Sequence, residues 1–263
     1  MGLGQRIEES LKIKVMDNQK KNCFFIPEDE TAKFNEEDMY IYQYMRLDYL
    51  FNLLETKKYY AKKRCTFEDA NESKFNLKDY FASRFIEKLS KKEKIVREQT
   101  QENDSYLTFK EAKEIPVSCW TKKNEESYMM WKVYANEMGV RIKSSVLSFI
   151  DSIKLDHHLE SENQIICGNV RYEHTLYKNE VTGVLFDKYK HYSDEEEFRF
   201  YLNFNEIINN DKEFILFDVD TEIMVHEIMF SPFISEEAAK VFTEIIKERY
   251  KITNVKQSNI KLK

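Results

Sequence analysis

The sequence predicts an α+β fold, a twisted, largely antiparallel sheet flanked by helices. Three observations lead there. Runs with strand patterning and runs with helical spacing are mixed, without the regular repeat that builds a parallel βαβ sheet. The later strands follow one another directly, as they do in antiparallel sheets. Five Gly and three Pro among 263 residues leave no linker composition, so one main domain is expected rather than two.

The elements follow in order. Residues 1–38 are polar and patchy and read as an N-terminal extension, and 39–263 as a single α+β domain. MYIYQYM (39–45) is strand-like, LDYLFNLLET (47–56) carries Leu47, Leu50, Phe51 and Leu54 at helical spacing, and KKYYA (57–61) is a second strand. Residues 75–115 form a charged, helical insertion. VSCWT (117–121) is a strand, and EESYMMWKVYANEMG (125–139) a helix closed by Gly139. VRIKSS (140–145) is a strand, VLSFIDSI (146–153) a helix, and QIICGNVRYE (164–173) one longer strand with Gly168 as a bulge. Strands at 197–204, 212–219 and 222–230 precede an amphipathic helix over 235–250 and a short strand near 252–258.

A net charge of −6 removes the signature of a chain basic throughout, although not a local basic groove. The four cysteines are far apart and form no CxxC pair, which argues against a zinc site and a disulfide framework. No stretch approaches the about 18 apolar residues of a membrane span. MGLGQRIEES lacks a signal-peptide apolar run, so reduced thiols and a cytoplasmic setting are expected. The five histidines show no metal spacing, and no Walker, GxGxxG, GxSxG or HExxH motif is present.

Three constellations carry chemistry. In DEEEFRFYL (194–202), strand alternation sends Glu195, Glu197 and Arg199 one way and Glu196, Phe198, Phe200 and Leu202 the other. The charged set is either a solvated face or a cleft floor on which a guanidinium holds a carboxylate ionised. Tyr128, Trp131 and Tyr134 form one stripe at helical spacing, either core or a platform for stacking a planar ring. Gln43 and Arg46 end one strand and Lys62, Lys63 and Arg64 come just after the next, either as a phosphate-binding mouth or as separate surface cations.

A recurrent order of motifs runs through residues 39 to 257: Tyr42–Tyr44, then the turn 67–72, then Ser118-Cys119-Trp120. Met130-Trp131 with Tyr134-Ala135, Gly139-Val140-Arg141-Ile142 and Val170-Arg171-Tyr172 come next. The last is Lys188 with Tyr192, Glu195, Glu197 and Arg199. In this order the chain resembles an uncharacterised bacterial domain family that occurs in defence and toxin contexts and is similar to ADP-ribosyltransferase-like folds. The turn 67–72 departs from it in having Glu68 and Ala70 where the family pattern has Asn and Pro, and Gln43 stands where such enzymes often place His, Arg or Lys.

The resemblance implies an NAD-dependent ADP-ribosyltransferase with NAD as co-substrate and a macromolecular acceptor, nucleic acid before protein. It implies an antitoxin or phage-protein partner, and the absence of a long apolar run implies no membrane. Glu197 is then the first catalytic choice and Glu195 the second, with Arg199 positioning them or binding the acceptor. Gln43, Tyr44, Arg46 and Lys62 would hold the dinucleotide, and Trp120, Trp131 and Tyr134 the nicotinamide pocket. The alternatives are an NAD hydrolase, a non-catalytic sensor, and a metal-dependent nuclease built on Asp69, Glu72, Glu195 and Glu197.

Overall fold

Most of the strand-forming runs pair into one branched sheet, and two of them into a small second one. The structure is a computed structural model that describes residues 14–15, 22–26, 39–66, 115–154, 164–173, 185–203 and 212–262. Its strands are β1 (Lys14–Val15), β2 (Asn22–Ile26), β3 (Tyr40–Arg46), β4 (Lys58–Lys63), β5 (Pro116–Thr121), β6 (Gly139–Ser145) and β7 (Gln164–Asn169). They continue as β8 (Arg171–Glu173), β9 (Asp187–Tyr189), β10 (Glu197–Asn203), β11 (Phe214–Asp218), β12 (Glu227–Phe230) and β13 (Val255–Gln257). The α-helices are α1 (Leu47–Thr56), α2 (Tyr128–Met130), α3 (Val146–Ser152), α4 (Thr221–Met224) and α5 (Glu236–Tyr250).

The main sheet runs β1-β2-β7-β10-β5-β3-β6-β12-β13, with β4 and β11 as a side branch on β5. Its pairs are antiparallel except β2–β7 and β12–β13. The expected mixed fold with a largely antiparallel sheet is therefore present. Part of the 1–38 stretch takes part in it, since β2 pairs with β7. The turn 67–72, residues 75–114 and His157 and His158 lie outside the described residues.

The branch divides one edge of β5 between two strands. The edge facing β10 is paired from Val117 to Thr121. The other pairs with β4 at Pro116 and Val117, and with β3 only at Thr121. Between those points the sheet forks. The Gln43 side chain fills the gap: its amide nitrogen donates to the Cys119 carbonyl at 3.0 Å and to the Tyr59 hydroxyl at 2.8 Å. A side chain thus takes the place of a ladder donor at the fork.

Alternation divides each strand between two faces. One face carries the main core, in which Phe198 and Phe200 of β10, Trp120 of β5, Ile142 of β6 and Ile228 of β12 are buried. The helices cover it. Leu47, Leu50 and Leu54 recur at i, i+3 and i+7 of α1 and are buried, as are Phe149 and Ile150 of α3 and Ile246 of α5. Phe149 sits centrally, its ring 4.5 Å from Phe200 and 5.2 Å from both Tyr59 and Trp120. Helix α1 stops where Lys57 turns left-handed at φ 54°, its amide bonded to the Leu53 carbonyl. Helix α5 starts on Ser235, whose side chain accepts from the Ala238 amide.

Among the described residues, the opposite face carries a small cluster of Tyr44, Trp131, Ala135 and Met229 and the two-stranded parallel sheet β8–β9. Here the structure differs from expectation. The predicted helix 125–139 is instead the short α2 followed by a π-helical turn, Trp131–Ala135, which ends at Asn136 with φ 56°. Gly139 is not its cap but the first residue of β6. A Cβ there would stand 2.3 Å from the Ala135 Cβ and carbonyl oxygen, so this close approach admits glycine alone.

The expected long strand 164–173 is two strands broken at Val170, whose amide bonds the Glu197 carbonyl, and Gly168 is no bulge but pairs in register with Arg199. The expected strand 222–230 begins only at Glu227, because Asp220 caps the short α4 by accepting from the Glu222 amide at 3.1 Å. Among the described residues no helix is long and apolar enough to cross a membrane.

Candidate active site

Strand β10 begins at Glu197, not earlier. Residues Lys190–Glu195 form a 3₁₀ turn, and Glu196 closes it in the left-handed region at φ 43°, where a non-glycine residue is strained. That turn removes Glu195 and Glu196 from the strand. Glu196 does not join the apolar row as alternation predicted: it is exposed, and its carboxylate lies 3.6 Å from Lys123. Glu195 loses its place on the strand face yet returns to the same charges by another route, through space.

Glu197 and Arg199 share the face of β10 opposite the main core, and neither is a solvated surface residue. Glu197 is 6% exposed and Arg199 0%. The guanidinium grips the carboxylate bidentately, Nε to Oε1 and Nη2 to Oε2, both at 2.8 Å. Its remaining nitrogen donates to the Leu185 carbonyl at 3.0 Å. From β9, the Lys188 ammonium reaches Glu195 Oε2 at 2.7 Å and Glu197 Oε2 at 3.4 Å. From β8, the Tyr172 hydroxyl accepts the Glu197 amide at 2.7 Å. Tyr172 and Lys188 are register partners across β8–β9, so the small sheet delivers both to the start of β10.

Burial raises the Glu197 pKa, but the charges of Arg199 and then Lys188 outweigh it and bring the carboxyl down to about 2. The group is anionic at any physiological pH. Across from it, Tyr134 of the π-helical turn donates its hydroxyl to Glu195 Oε1 at 2.9 Å. Desolvation, then the charge of Glu195, push the Tyr134 hydroxyl well above the ordinary tyrosine range, so it is a neutral donor.

These groups form one wall of a cleft of about 640 Å³ that opens at the fork of the sheet. Tyr42 and Tyr44 of β3, Tyr60 of β4, Tyr134 and Tyr192 supply aromatic surface, and Lys62 a cation. Of the predicted site residues, the cleft brings together Glu195, Glu197, Arg199, Gln43, Tyr44, Lys62, Trp120 and Tyr134. Two stand apart. Arg46 is exposed and paired with Asp48 at 2.7 Å, beyond the cleft lining. Trp131 is fully buried, edge-on to Tyr44 at 4.8 Å, with its indole nitrogen donating to Glu126.

The aromatic stripe is thus divided by the wide π turn: Trp131 goes to the interior and Tyr134 to the cleft. Trp120 touches the cleft but belongs chiefly to the main core, its indole nitrogen bonded to Ser118 at 2.8 Å. Gln43 lines the cleft with its amide engaged at the fork. Lys188, Tyr172, Tyr192, Tyr42 and Cys119 were not singled out for the site by sequence. All five fall within the motifs quoted from the sequence, a signal that could have found them. Among the described residues no group of three or more His, Cys, Asp or Glu side chains is gathered to hold a metal ion. Asp69 and Glu72 are outside the described residues.

No protein-family model matches the chain. No curated protein matches it either. Two solved structures of DarT from Thermus sp. 2.9 are similar to it. The complex with NAD+ has a TM-score of 0.39 and 10% identity, covering 84% of this chain and 96% of that one. The complex with ADP-ribosylated ssDNA has a TM-score of 0.37 and 9% identity, covering 84% and 95%. At these scores the likeness is distant.

Proposed function

We propose that this protein is an NAD-dependent ADP-ribosyltransferase with an ADP-ribosyltransferase-like fold, acting on a macromolecular acceptor, nucleic acid before protein. The observation that carries the reading is Glu197, an ionised carboxylate built into the wall of a tyrosine-lined cleft and held by two cations from different strands. Cleaving the nicotinamide–ribose bond, with the electron pair leaving on nicotinamide, builds positive charge on the ribose, and a fixed anion beside it lowers that barrier. Glu197 supplies such an anion with no reorganisation, because Arg199 fixes both of its oxygens.

The residues also suit the dinucleotide. A cleft of about 640 Å³ falls in the range of small-molecule sites. The exposed ring of Tyr60 suits a planar ring, and Lys62 at the cleft suits a diphosphate. Arg199 acts as the positioning group for Glu197 rather than as an acceptor-binding group, since it is fully buried. The toxin or phage-defence setting, with its antitoxin or phage-protein partner, belongs to this reading through the motif resemblance.

The test is nicotinamide release from NAD, measured with single-stranded DNA, RNA or protein present and absent, together with transfer of label from NAD to each. Release stimulated by one acceptor is expected, and Glu197→Gln should lower it by about 10²–10³-fold. Release with no acceptor labelled would make the protein a hydrolase instead. No release from NAD under any condition overturns the reading.

A further inference from the structure

We propose that Lys188 is a positioning residue, which holds Glu195 and Glu197 together as one anionic pair at the cleft wall. The inference rests on the transferase reading and adds a residue to it. Glu195 and Glu197 come from different local structures, a 3₁₀ turn and a strand, with a strained Glu196 between them. The ammonium of Lys188 lies within ion-pair distance of both carboxylates, and its side chain is only 9% exposed. The Tyr192 ring lies 4.5 Å from the same ammonium. Lys188 itself is fixed by the β8–β9 pairing, which the Arg171–Asp187 ion pair at 2.7 Å reinforces.

Arg199 cannot replace Lys188 here. Its three nitrogens are spent on Glu197 and the Leu185 carbonyl, and it is fully buried. The groups facing the pair are Arg199 from β10, Lys188 from β9, Tyr172 from β8, Cys119 from β5 and Tyr134 from the π-helical turn. Among the described residues, two of these groups are cations. Two carboxylates and two cations balance, so without Lys188 the carboxylates face each other with one charge in excess. Like charges at such range drive one carboxylate to take up a proton or to swing away.

Two variants and two readouts decide it. Carboxyl ¹³C NMR titration of Glu-labelled protein follows the pair directly, whatever the activity. The pH profile of nicotinamide release follows its consequence. In Lys188→Met the titration midpoint of Glu197 should rise by about one pH unit or more, and the acid limb of the profile should move up with it. Lys188→Arg should restore both. A folded Lys188→Met whose titration is unchanged overturns the proposal, as does equal loss in both variants with an unshifted profile, which would mark a structural tie. If Lys188→Met does not fold, Lys188→Gln takes its place. Absence of NAD cleavage in the unaltered protein would sink the transferase reading, while the titration would still decide what Lys188 does.

Discussion

The two faces of β10 bury their side chains to a similar degree by opposite means. Phe198 and Phe200 are fully buried against rings and aliphatic chains from β5, α3 and the strands beside them. Glu197 and Arg199, on the other face, are buried just as deeply among charges. The apolar face needs only volume and shape, which many residues supply, and its stability comes from area removed from water. The charged face needs named partners, because a buried charge left unpaired costs several kcal/mol. It draws them from β8, β9, β5 and the turn before the strand. The tolerant face holds the fold and the intolerant one holds the candidate chemistry.

The largest effect should come from the apolar face. Phe149 stands at the centre of its aromatic cluster, so Phe149→Ala should cost about 3–5 kcal/mol of unfolding free energy, read by denaturant titration. A loss below about 1 kcal/mol would break the contrast, since that face would then not carry the fold.

The charged face should appear in pH dependence. The Glu197 pKa is lowered from 4.5 to about 2 in the folded chain, so its contribution is fully present above the unfolded value. It is lost as pH falls from there through the folded value, and amounts to roughly 3 kcal/mol. Unfolding measured from pH 6 down to pH 2 should show this loss, and Glu197→Gln should flatten that part of the curve. A curve identical in both proteins would mean that the pair is held less tightly than its geometry implies.

The smallest effect sharpens the distinction between arginines. Arg46 pairs with Asp48 in solvent, so Arg46→Ala should change stability by less than about 1 kcal/mol and leave nicotinamide release unaltered. A clear loss of NAD cleavage in Arg46→Ala would return Arg46 to the site.

Much of the fold was legible because period-two and helical spacing are local signals. The runs at 40–46, 47–56, 139–145 and 197–203 became elements with boundaries shifted by a residue or so. What was not legible depends on contacts distant in sequence. Nothing between 125 and 139 announces a π turn; the buried Trp131 beneath Tyr44 and the Ala135–Gly139 approach accompany it in space. The alternation that linked Glu195 to Glu197 and Arg199 assumed a strand from 195, and the left-handed Glu196 ends that assumption. Glu195 nevertheless meets Glu197 through Lys188, a contact that no spacing rule contains.

The fork of the sheet has a further consequence. Where two strands run side by side, backbone hydrogen bonds fix their spacing and leave nothing to adjust. Where β3 and β4 part from each other along β5, the Gln43 amide bridges the gap, reaching to Tyr59 and Cys119. Gln43 shares its face of β3 with the core residue Ile41 and still lines the cleft, on the side of the sheet opposite Glu197 and Arg199. A shorter side chain at residue 43 should therefore loosen the fork while leaving Arg199 and Lys188 in place as partners of Glu197.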